Sequence, residues 1–344
     1  MDRRQFGSTV GISALATTLG IPNLRGEAAA APEPLPAGIS ADKIGRPVRV
    51  VSVAFTDGHP LEEIATLVDQ EGARGTDLIA LPETCQGQNL KSKQPLDGPM
   101  ITAMLRLAKK HNTYIACPID RTDGSRRYNS VVFIDRSGQV IGIYNKLYPV
   151  WQSECMKRGV TPGDSATVCQ TDFGRVGFAI CFDVNWVDLW ERMANLGAEL
   201  VIWPSAYSAG RTLQARAIDY NYYVVSSTWI PDCLVFDIDG EQLMHEENNR
   251  GNGTNVTRTT LDLDRCLFHL DLNTPDKRAK LLQEHADDVV LDKDLRLESW
   301  FVLKAKRPGV SARELARQYG MEELRSYVCR VRCEIDKCRG FEFS

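Results

Sequence analysis

Short apolar runs alternate with amphipathic helical segments along residues 47–272, and three of the runs end in a polar or reactive side chain. Glu83 follows the run at residues 78–82, Lys146 follows residues 141–145, and Cys181 follows residues 176–180. Runs of this length between turn and helix signals are typical of buried strands. Because α/β sheets gather functional groups at strand ends, the three side chains can meet in one pocket.

The order of the segments predicts an α/β fold with mixed sheets. A strand at residues 48–55, a helix at 60–75 and a strand at 78–83 form a β-α-β opening, followed by a helix at 100–112 and a strand at 114–119. Hairpins are predicted for residues 131–146, 167–181 and 234–245. Between the last two hairpins we expect a helix at 186–196, with Asn185 as its cap, and strands at 200–203 and 224–228 around a helix at 211–221.

The ends of the chain differ in character from this central part. Residues 1–30 carry Arg3 and Arg4 before a short apolar stretch and a run of alanines, which indicates a twin-arginine export signal, and residues 31–46 form a linker. A disordered leader is the alternative, in which case the protein stays in the cytoplasm. Export would place the protein in the periplasm or outside the cell. Residues 47–272 form the main domain, and residues 273–344 a helical C-terminal extension in which Ser311 caps a helix.

Charge and cysteine usage narrow the classes of partner. The net charge is −4 and the sequence pI about 5.8, so nothing favours nucleic acid, and the apolar stretch near the N-terminus is too short for a stable membrane span. We expect a small-molecule partner. The ten cysteines include no Cys-x-x-Cys pair, and Cys329, Cys333 and Cys338 lie on one predicted helix. Burial or disulfides fit these three better than a metal, and which of the two applies stays open.

The three strand-end residues suit thiol-based acyl transfer. A free cysteine has a pKa of about 8.5 and needs a base or a cation nearby to become a nucleophile. Glu83 can act as the general base and Lys146 as the cation. Lys146 and the backbone N–H of Phe182 can then hold an oxyanion. Each residue alone is more often a solvated strand end or an inert core thiol, so the interpretation depends on the combination.

Three sequence blocks resemble the signature blocks of the nitrilase superfamily, the carbon-nitrogen hydrolases. They are Leu-Pro-Glu at 81–83, Tyr-Asn-Lys-Leu-Tyr at 144–148 and Gly-Phe-Ala-Ile-Cys-Phe-Asp at 177–183. The resemblance extends from about residue 47 to 272. It implies a four-layer α-β-β-α sandwich, a Glu-Lys-Cys triad without metal or organic cofactor, and pairing of subunits into a homodimer or larger homo-oligomer.

The resemblance also implies further site residues. Glu154 stands where a second glutamate of the family positions the lysine and the substrate. Phe-Asp after the cysteine is closer to the amidase and carbamoylase branches than to true nitrilases, so we expect a linear amide or N-carbamoyl substrate. Our candidates for the substrate pocket, for which core packing is the alternative role, are Asn185, Trp186, Tyr207 and Trp229.

Two other classes of function remain open at the level of sequence. A Cys-His hydrolase would use Cys181 with one of the five histidines, although none of them closes a comparable strand (His59, His111, His245, His269, His285). A binding or scaffold protein with an inactive triad is the other alternative.

Overall fold

The computed structural model describes residues 39–89, 91–273 and 275–340. The predicted export signal at residues 1–30, and residues 31–38 of the predicted linker, therefore lie outside the described residues. Two six-stranded mixed sheets stand face to face, with helices on both outer sides. This is the predicted four-layer α-β-β-α arrangement.

The first sheet is built around three parallel strands, with antiparallel strands at both edges. In spatial order it contains β12 (Asn255–Asp262), β1 (Pro47–Ala54), β2 (Leu78–Ala80), β3 (Tyr114–Asp123), β4 (Arg126–Ile134) and β5 (Val140–Asn145). The helices α1 (Leu61–Gly72) and α2 (Pro99–His111) cover its outer face. The apolar positions of both helices recur every three to four residues, and this stripe packs on the sheet.

The second sheet repeats this plan. In spatial order it contains β11 (Gln242–Glu247), β10 (Asp232–Phe236), β9 (Tyr223–Thr228), β8 (Leu200–Ser205), β7 (Arg175–Phe178) and β6 (Val168–Gln170), of which β7, β8 and β9 are parallel. The helices α3 (Val187–Asn195) and α4 (Gly210–Tyr220) cover its outer face. The main core lies between the two sheets, where Val50 and Tyr144 of the first sheet pack in one cluster with Phe178 and Trp203 of the second.

The remaining helices and strands follow the second sheet. A three-stranded sheet has the order β13 (Cys266–His269), β15 (Trp300–Ala305) and β14 (Val289–Leu295), and the helices are α5 (Leu270–Asn273), α6 (Pro275–Glu284), α7 (Ala312–Gln318) and α8 (Leu324–Cys338). The extension thus has the predicted helices and also two strands that were not predicted from the sequence. β14 reads as charged because it is half-exposed and mixes acidic and basic with apolar residues, whereas β15 is mostly apolar and contains one charged residue, Lys304.

Three local predictions can be compared with the structure. Ser311 caps α7 by accepting the Glu314 N–H, as predicted. The predicted cap of α3 is wrong, because Trp186 occupies the N-cap position and the Asn185 amide donates to the Phe182 carbonyl instead. All ten cysteines lie within the described residues, and none forms a disulfide. In the described part of the chain, no helix is both long and apolar enough to cross a membrane.

Candidate active site

Glu83 lies three residues beyond β2, at the carboxyl end of the parallel strands. The Leu81 N–H still bonds to the Ala116 carbonyl of the neighbouring strand, which extends the strand direction up to the glutamate. The Glu83 side chain is buried, and its backbone carbonyl accepts the indole N–H of Trp229. The carboxylate therefore points from a fixed backbone into the space between the sheets.

Lys146 directly follows β5 and is equally buried. Its N–H bonds to the Asn129 carbonyl at 2.9 Å, and its own carbonyl accepts the Gly163 N–H at 2.9 Å. A side chain on Gly163 would overlap the backbone oxygen of Asn145, so only glycine allows this close approach. The two backbone bonds fix the strand end from which the ammonium extends.

Glu154 is buried and is therefore not a loop carboxylate on a solvated surface. It lies on a π-helical turn, Trp151–Met156, a form that is rare and frequent at functional sites. The Glu154 carboxylate accepts the Lys146 ammonium at 2.8 Å and the Val150 N–H at 2.7 Å. On its other side the ammonium bonds to Glu83 Oε1 at 3.0 Å. The structure thus brings both predicted glutamates onto one lysine.

Cys181 begins a 3₁₀ turn, Cys181–Asn185, after β7, and its backbone is left-handed, with φ +47°. A non-glycine residue in this region is strained by about 1–3 kcal/mol, and such strain concentrates at functional sites. The Trp203 indole N–H bonds to the Cys181 carbonyl at 3.0 Å and holds the turn. The residue is 7 % exposed, so its thiol is sheltered from bulk water.

The charges of the cluster act on one another. Burial would lower the pKa of the Lys146 ammonium, but Glu83, Cys181 and Glu154 raise it well above its usual value. Burial works against ionisation of Glu154, yet Lys146 and hydrogen bonds keep its pKa below the usual range. Burial and the Glu83 charge raise the pKa of Cys181 to about 12, and Lys146 offsets only part of this. The resting thiol is therefore protonated at neutral pH, and its activation requires a base.

Asn129 and Asp183 also belong to this region, and no role was predicted for either from the sequence. Asn129 donates from its amide to both glutamates. Its position on the same face of β4 as Val131 and Phe133, which pack in the core, was the available signal.

Asp183 connects the cysteine turn to the lysine strand. Its carboxylate accepts the Tyr144 hydroxyl at 2.6 Å and the N–H groups of Ile180 and Tyr148 at 2.8 Å each. Burial raises the pKa of Asp183 to about 6, against the lowering effects of Lys146 and these bonds. Three donors on one carboxylate fix the position of Cys181 relative to Lys146.

The pocket candidates lie around the cysteine turn. Trp186 stacks on the Tyr148 ring at 4.5 Å between ring centres, and the half-exposed Phe182 ring packs edge-on against it. Burial raises the pKa of Tyr207, on which the charges of Cys181 and Lys146 also act. Asn185 reaches the Tyr207 hydroxyl, and Trp229 is fixed by its bond to the Glu83 carbonyl. Their role in binding stays a prediction.

The histidines and the possible metal ligands have their polar partners outside the cluster of Glu83, Lys146 and Glu154. Each histidine has a polar partner outside the cluster: His59 pairs with the Thr56 carbonyl, His111 with Asp69, His245 with Asp232, His269 with Asp271 and His285 with Asp288.

Within the described chain, two groups have metal-ligand spacing, Asp232 with His245 and Glu247, and Asp237 with Asp239 and Glu241. Neither includes Cys329, Cys333 or Cys338. The second group already holds the Lys293 ammonium.

Comparison with known proteins places the chain in a family. The family model described as carbon-nitrogen hydrolase matches residues 48–266. The chain therefore belongs to the carbon-nitrogen hydrolases, the nitrilase superfamily. The match ends at the first residue of β13, before the C-terminal extension.

Two curated relatives and one solved structure illustrate the similarity. The chain is 29 % identical to a citrullinase of Francisella tularensis over 173 residues, which cover 46 % of this chain and 60 % of that protein. It is 26 % identical to the deaminated glutathione amidase of Homo sapiens over 291 residues, covering 76 % and 88 %. Crystalline Nit3 of Saccharomyces cerevisiae, of the nitrilase superfamily, has a TM-score of 0.55 at 20 % identity, covering 75 % of this chain and 100 % of that chain. The aligned part spans less than two thirds of the citrullinase.

Proposed function

We propose that this protein hydrolyses the C–N bond of a linear amide or an N-carbamoyl compound through a thioester on Cys181. One observation carries the proposal: the Lys146 ammonium is held between two buried carboxylates beside a sheltered thiol on a strained turn. The names of the relatives agree with this substrate class, since an amidase cleaves an amide and citrulline carries an N-carbamoyl group. A non-peptide amidohydrolase is the function that the site supports best.

The first half of the reaction forms the thioester. Glu83 takes the thiol proton as the Cys181 sulfur attacks the carbonyl carbon, and a C–S bond forms while the carbonyl oxygen becomes an oxyanion. The Lys146 ammonium and the Phe182 N–H hold the oxyanion. Loss of one such donor costs about 2.7–4 kcal/mol in the barrier. Collapse breaks the C–N bond, and protonated Glu83 gives its proton to the leaving nitrogen.

The second half releases the acid. Glu83, ionised again, takes a proton from water as the water oxygen attacks the thioester carbonyl. The C–S bond breaks, and the sulfur recovers its proton from Glu83. Glu154 touches no reacting atom in this scheme, and it positions the lysine. The substrate lies against Asn185, Trp186, Tyr207 and Trp229.

The test compares wild type with Cys181→Ala and Glu83→Gln. Purified proteins are assayed for ammonia release from citrulline and a panel of short linear amides. We expect turnover of at least one compound by wild type and none above background by Cys181→Ala. Equal release by wild type and Cys181→Ala would contradict the proposal. Cys333→Ala, on α8, is the matched control and should keep full activity.

A Cys-His hydrolase and an inactive binding protein make different predictions. Alanine variants of the five histidines should all remain active under our proposal, because none lies in the cluster, whereas a Cys-His enzyme requires one to be inactive. A scaffold protein would show no turnover by wild type and alkylation of Cys181 by iodoacetamide at the same rate in wild type and Glu83→Gln.

We also propose export by the twin-arginine route and assembly into a homodimer or larger homo-oligomer. Arg3→Lys combined with Arg4→Lys should retain the full-length protein in the cytoplasm, whereas an unchanged distribution would argue against the signal.

Light scattering of the purified protein gives its mass in solution, and a monomer of 38.4 kDa would contradict assembly.

A further inference from the structure

Asn129 lies between the two glutamates of the candidate site. It occupies β4 two residues before Val131, on the face that packs against the second sheet, and it is 2 % exposed. Its amide nitrogen donates to Glu83 Oε1 at 2.7 Å and to Glu154 Oε1 at 2.9 Å. The two N–H groups of one amide thus join the general base to the glutamate that positions the lysine.

This contact determines which oxygen of Glu83 is free. Oε1 of Glu83 receives both the Asn129 amide and the Lys146 ammonium. Oε2 of Glu83 is buried and has no hydrogen-bond partner among the described residues. In Glu154, by contrast, both oxygens are engaged, Oε1 by Asn129 and Oε2 by Lys146 and the Val150 N–H. The network therefore leaves one carboxylate oxygen available for a proton, and it belongs to Glu83.

An asparagine suits this position because it is a neutral donor. The cluster already has two carboxylates and one ammonium, so an aspartate here would add a third negative charge beside the base, and like charges favour protonation of one of them. The buried Oδ1 of Asn129 has no partner among the described residues, so the amide acts on the site through its nitrogen.

We infer that Asn129 is a positioning residue that fixes Glu83 with Oε2 toward Cys181 and couples the base to Glu154. The inference rests on the proposed function, because it needs Glu83 to accept the thiol proton. Asn129 acts through Glu83 and touches no reacting atom.

Several elements next to Asn129 carry charged groups. Glu83 follows β2, Lys146 follows β5, Glu154 lies on the π-helical turn, and Asp183 on the cysteine turn acts on Lys146. On β3, Asp120 is the cross-strand partner of Asn129, and its carboxylate is bound by Arg127. A change of charge at residue 129 is therefore felt first by the two glutamates it contacts.

The experiment measures alkylation of Cys181 by iodoacetamide across pH 5–9, followed on the Cys181 peptide by mass spectrometry. This readout needs no substrate. Wild type, Glu83→Gln, Asn129→Asp and Asn129→Ala are compared. The matched control is Asn255→Ala on β12, which removes another buried asparagine whose Oδ1 also has no partner among the described residues.

We expect Asn129→Asp to move the acid limb of the alkylation profile up by about one pH unit or more. Asn129→Ala should slow alkylation about 10- to 100-fold, the size expected when a catalytic group is misplaced by about 1 Å. For any compound that wild type turns over, kcat should fall more than KM rises. Asn255→Ala should keep the wild-type profile even if it is less stable.

The inference is wrong if folded Asn129→Ala and Asn129→Asp both show the wild-type profile while Glu83→Gln differs from wild type. If Glu83→Gln itself reacts like wild type, the proposed role of the base fails. The two failures are thus distinguishable. Where one variant does not fold, the other still decides, because each alone predicts a changed profile.

Discussion

Two ionic clusters in this molecule, each built around a buried carboxylate, have similar residues and differ in their charge balance. The site cluster consists of Glu83, Glu154 and Lys146, and has two carboxylates for one ammonium. The anchor cluster consists of Arg46, Glu199, Arg313 and Glu323, with two charges of each sign. Arg46 and Arg313 reach the Glu199 carboxylate at 2.5 and 3.0 Å.

The difference separates a structural from a chemical use of buried charge. In the anchor cluster, Glu199 Oε1 accepts both arginines and Oε2 accepts the Arg175 N–H, so both oxygens have partners. This ties α7 of the extension to the start of β8. The site cluster has an acid excess and leaves Glu83 Oε2 without a partner among the described residues. A buried oxygen without a partner costs folding free energy, and it remains available to accept a proton.

The largest expected effect comes from Glu83→Gln. General-base catalysis contributes about 10²–10⁴-fold, so kcat/KM should fall by that factor. The free energy of unfolding should change little, because the substitution removes one charge of the acid excess. Steady-state kinetics and urea unfolding of the same preparation check both parts. If Glu83→Gln lost activity only in proportion to a loss of folded protein, the site cluster would be structural like the anchor cluster, and the comparison would fail.

The same chemical change in the anchor cluster should have the opposite outcome. Glu199→Gln removes the carboxylate charge that pairs with the buried Arg46 guanidinium, and breaking a buried pair costs roughly 3–5 kcal/mol. Arg313 is partly exposed and keeps its pair with Glu323. Urea unfolding should show this loss, and the activity per folded molecule should stay near that of wild type. A stable but inactive Glu199→Gln protein would show that the two clusters are coupled.

Asp183, which lies beside the site cluster, gives a test that depends on pH. Its folded-state pKa of about 6 lies above its ordinary 3.8, so its contribution to stability is full below pH 3.8 and is lost as the pH rises to about 6. This amounts to about 3 kcal/mol over the window. Asp183→Asn should lack this part of the pH dependence of the unfolding free energy. An identical pH slope in both proteins would contradict the assignment.

The smallest expected effect lies in the extension. Ser311→Ala removes the side-chain cap of α7, which costs about 1 kcal/mol, together with its bond to Asp264. The thermal midpoint should fall by a few degrees, and ammonia release should be unchanged. A drop in kcat would mean that the extension acts on the site.

A site residue could be predicted from the sequence only where the residues around it give a recognisable pattern. Glu83, Lys146 and Cys181 each end an apolar run, so their place at the sheet edge could be inferred from the residues alone. The position of Glu154 came only from the family resemblance, since the π-helical turn that buries it has no sequence signature. Asn129 looks like an ordinary polar residue in the sequence. Its proposed role depends on contacts with Glu83 and Glu154, which are 46 and 25 positions away along the chain.

The extension shows the same limit at the level of the fold. The strand β14 pairs only with β15, and most of its residues are partly exposed, so charged side chains obscure its apolar positions. Periodicity detects a strand when one face is buried and the other is solvated. The edge of a small sheet covered by helices does not give that pattern, and these residues were predicted as helix.

The most direct test of the account is to capture the acyl group on the protein. Wild type is mixed with a compound that it turns over, quenched in acid within the first turnovers, digested and analysed by mass spectrometry. We predict that the peptide containing Cys181 gains the mass of the acyl group, and that this adduct is absent from Cys181→Ala, which releases no ammonia. Turnover by Cys181→Ala at the wild-type rate, with no adduct on Cys181 of wild type, would contradict the account.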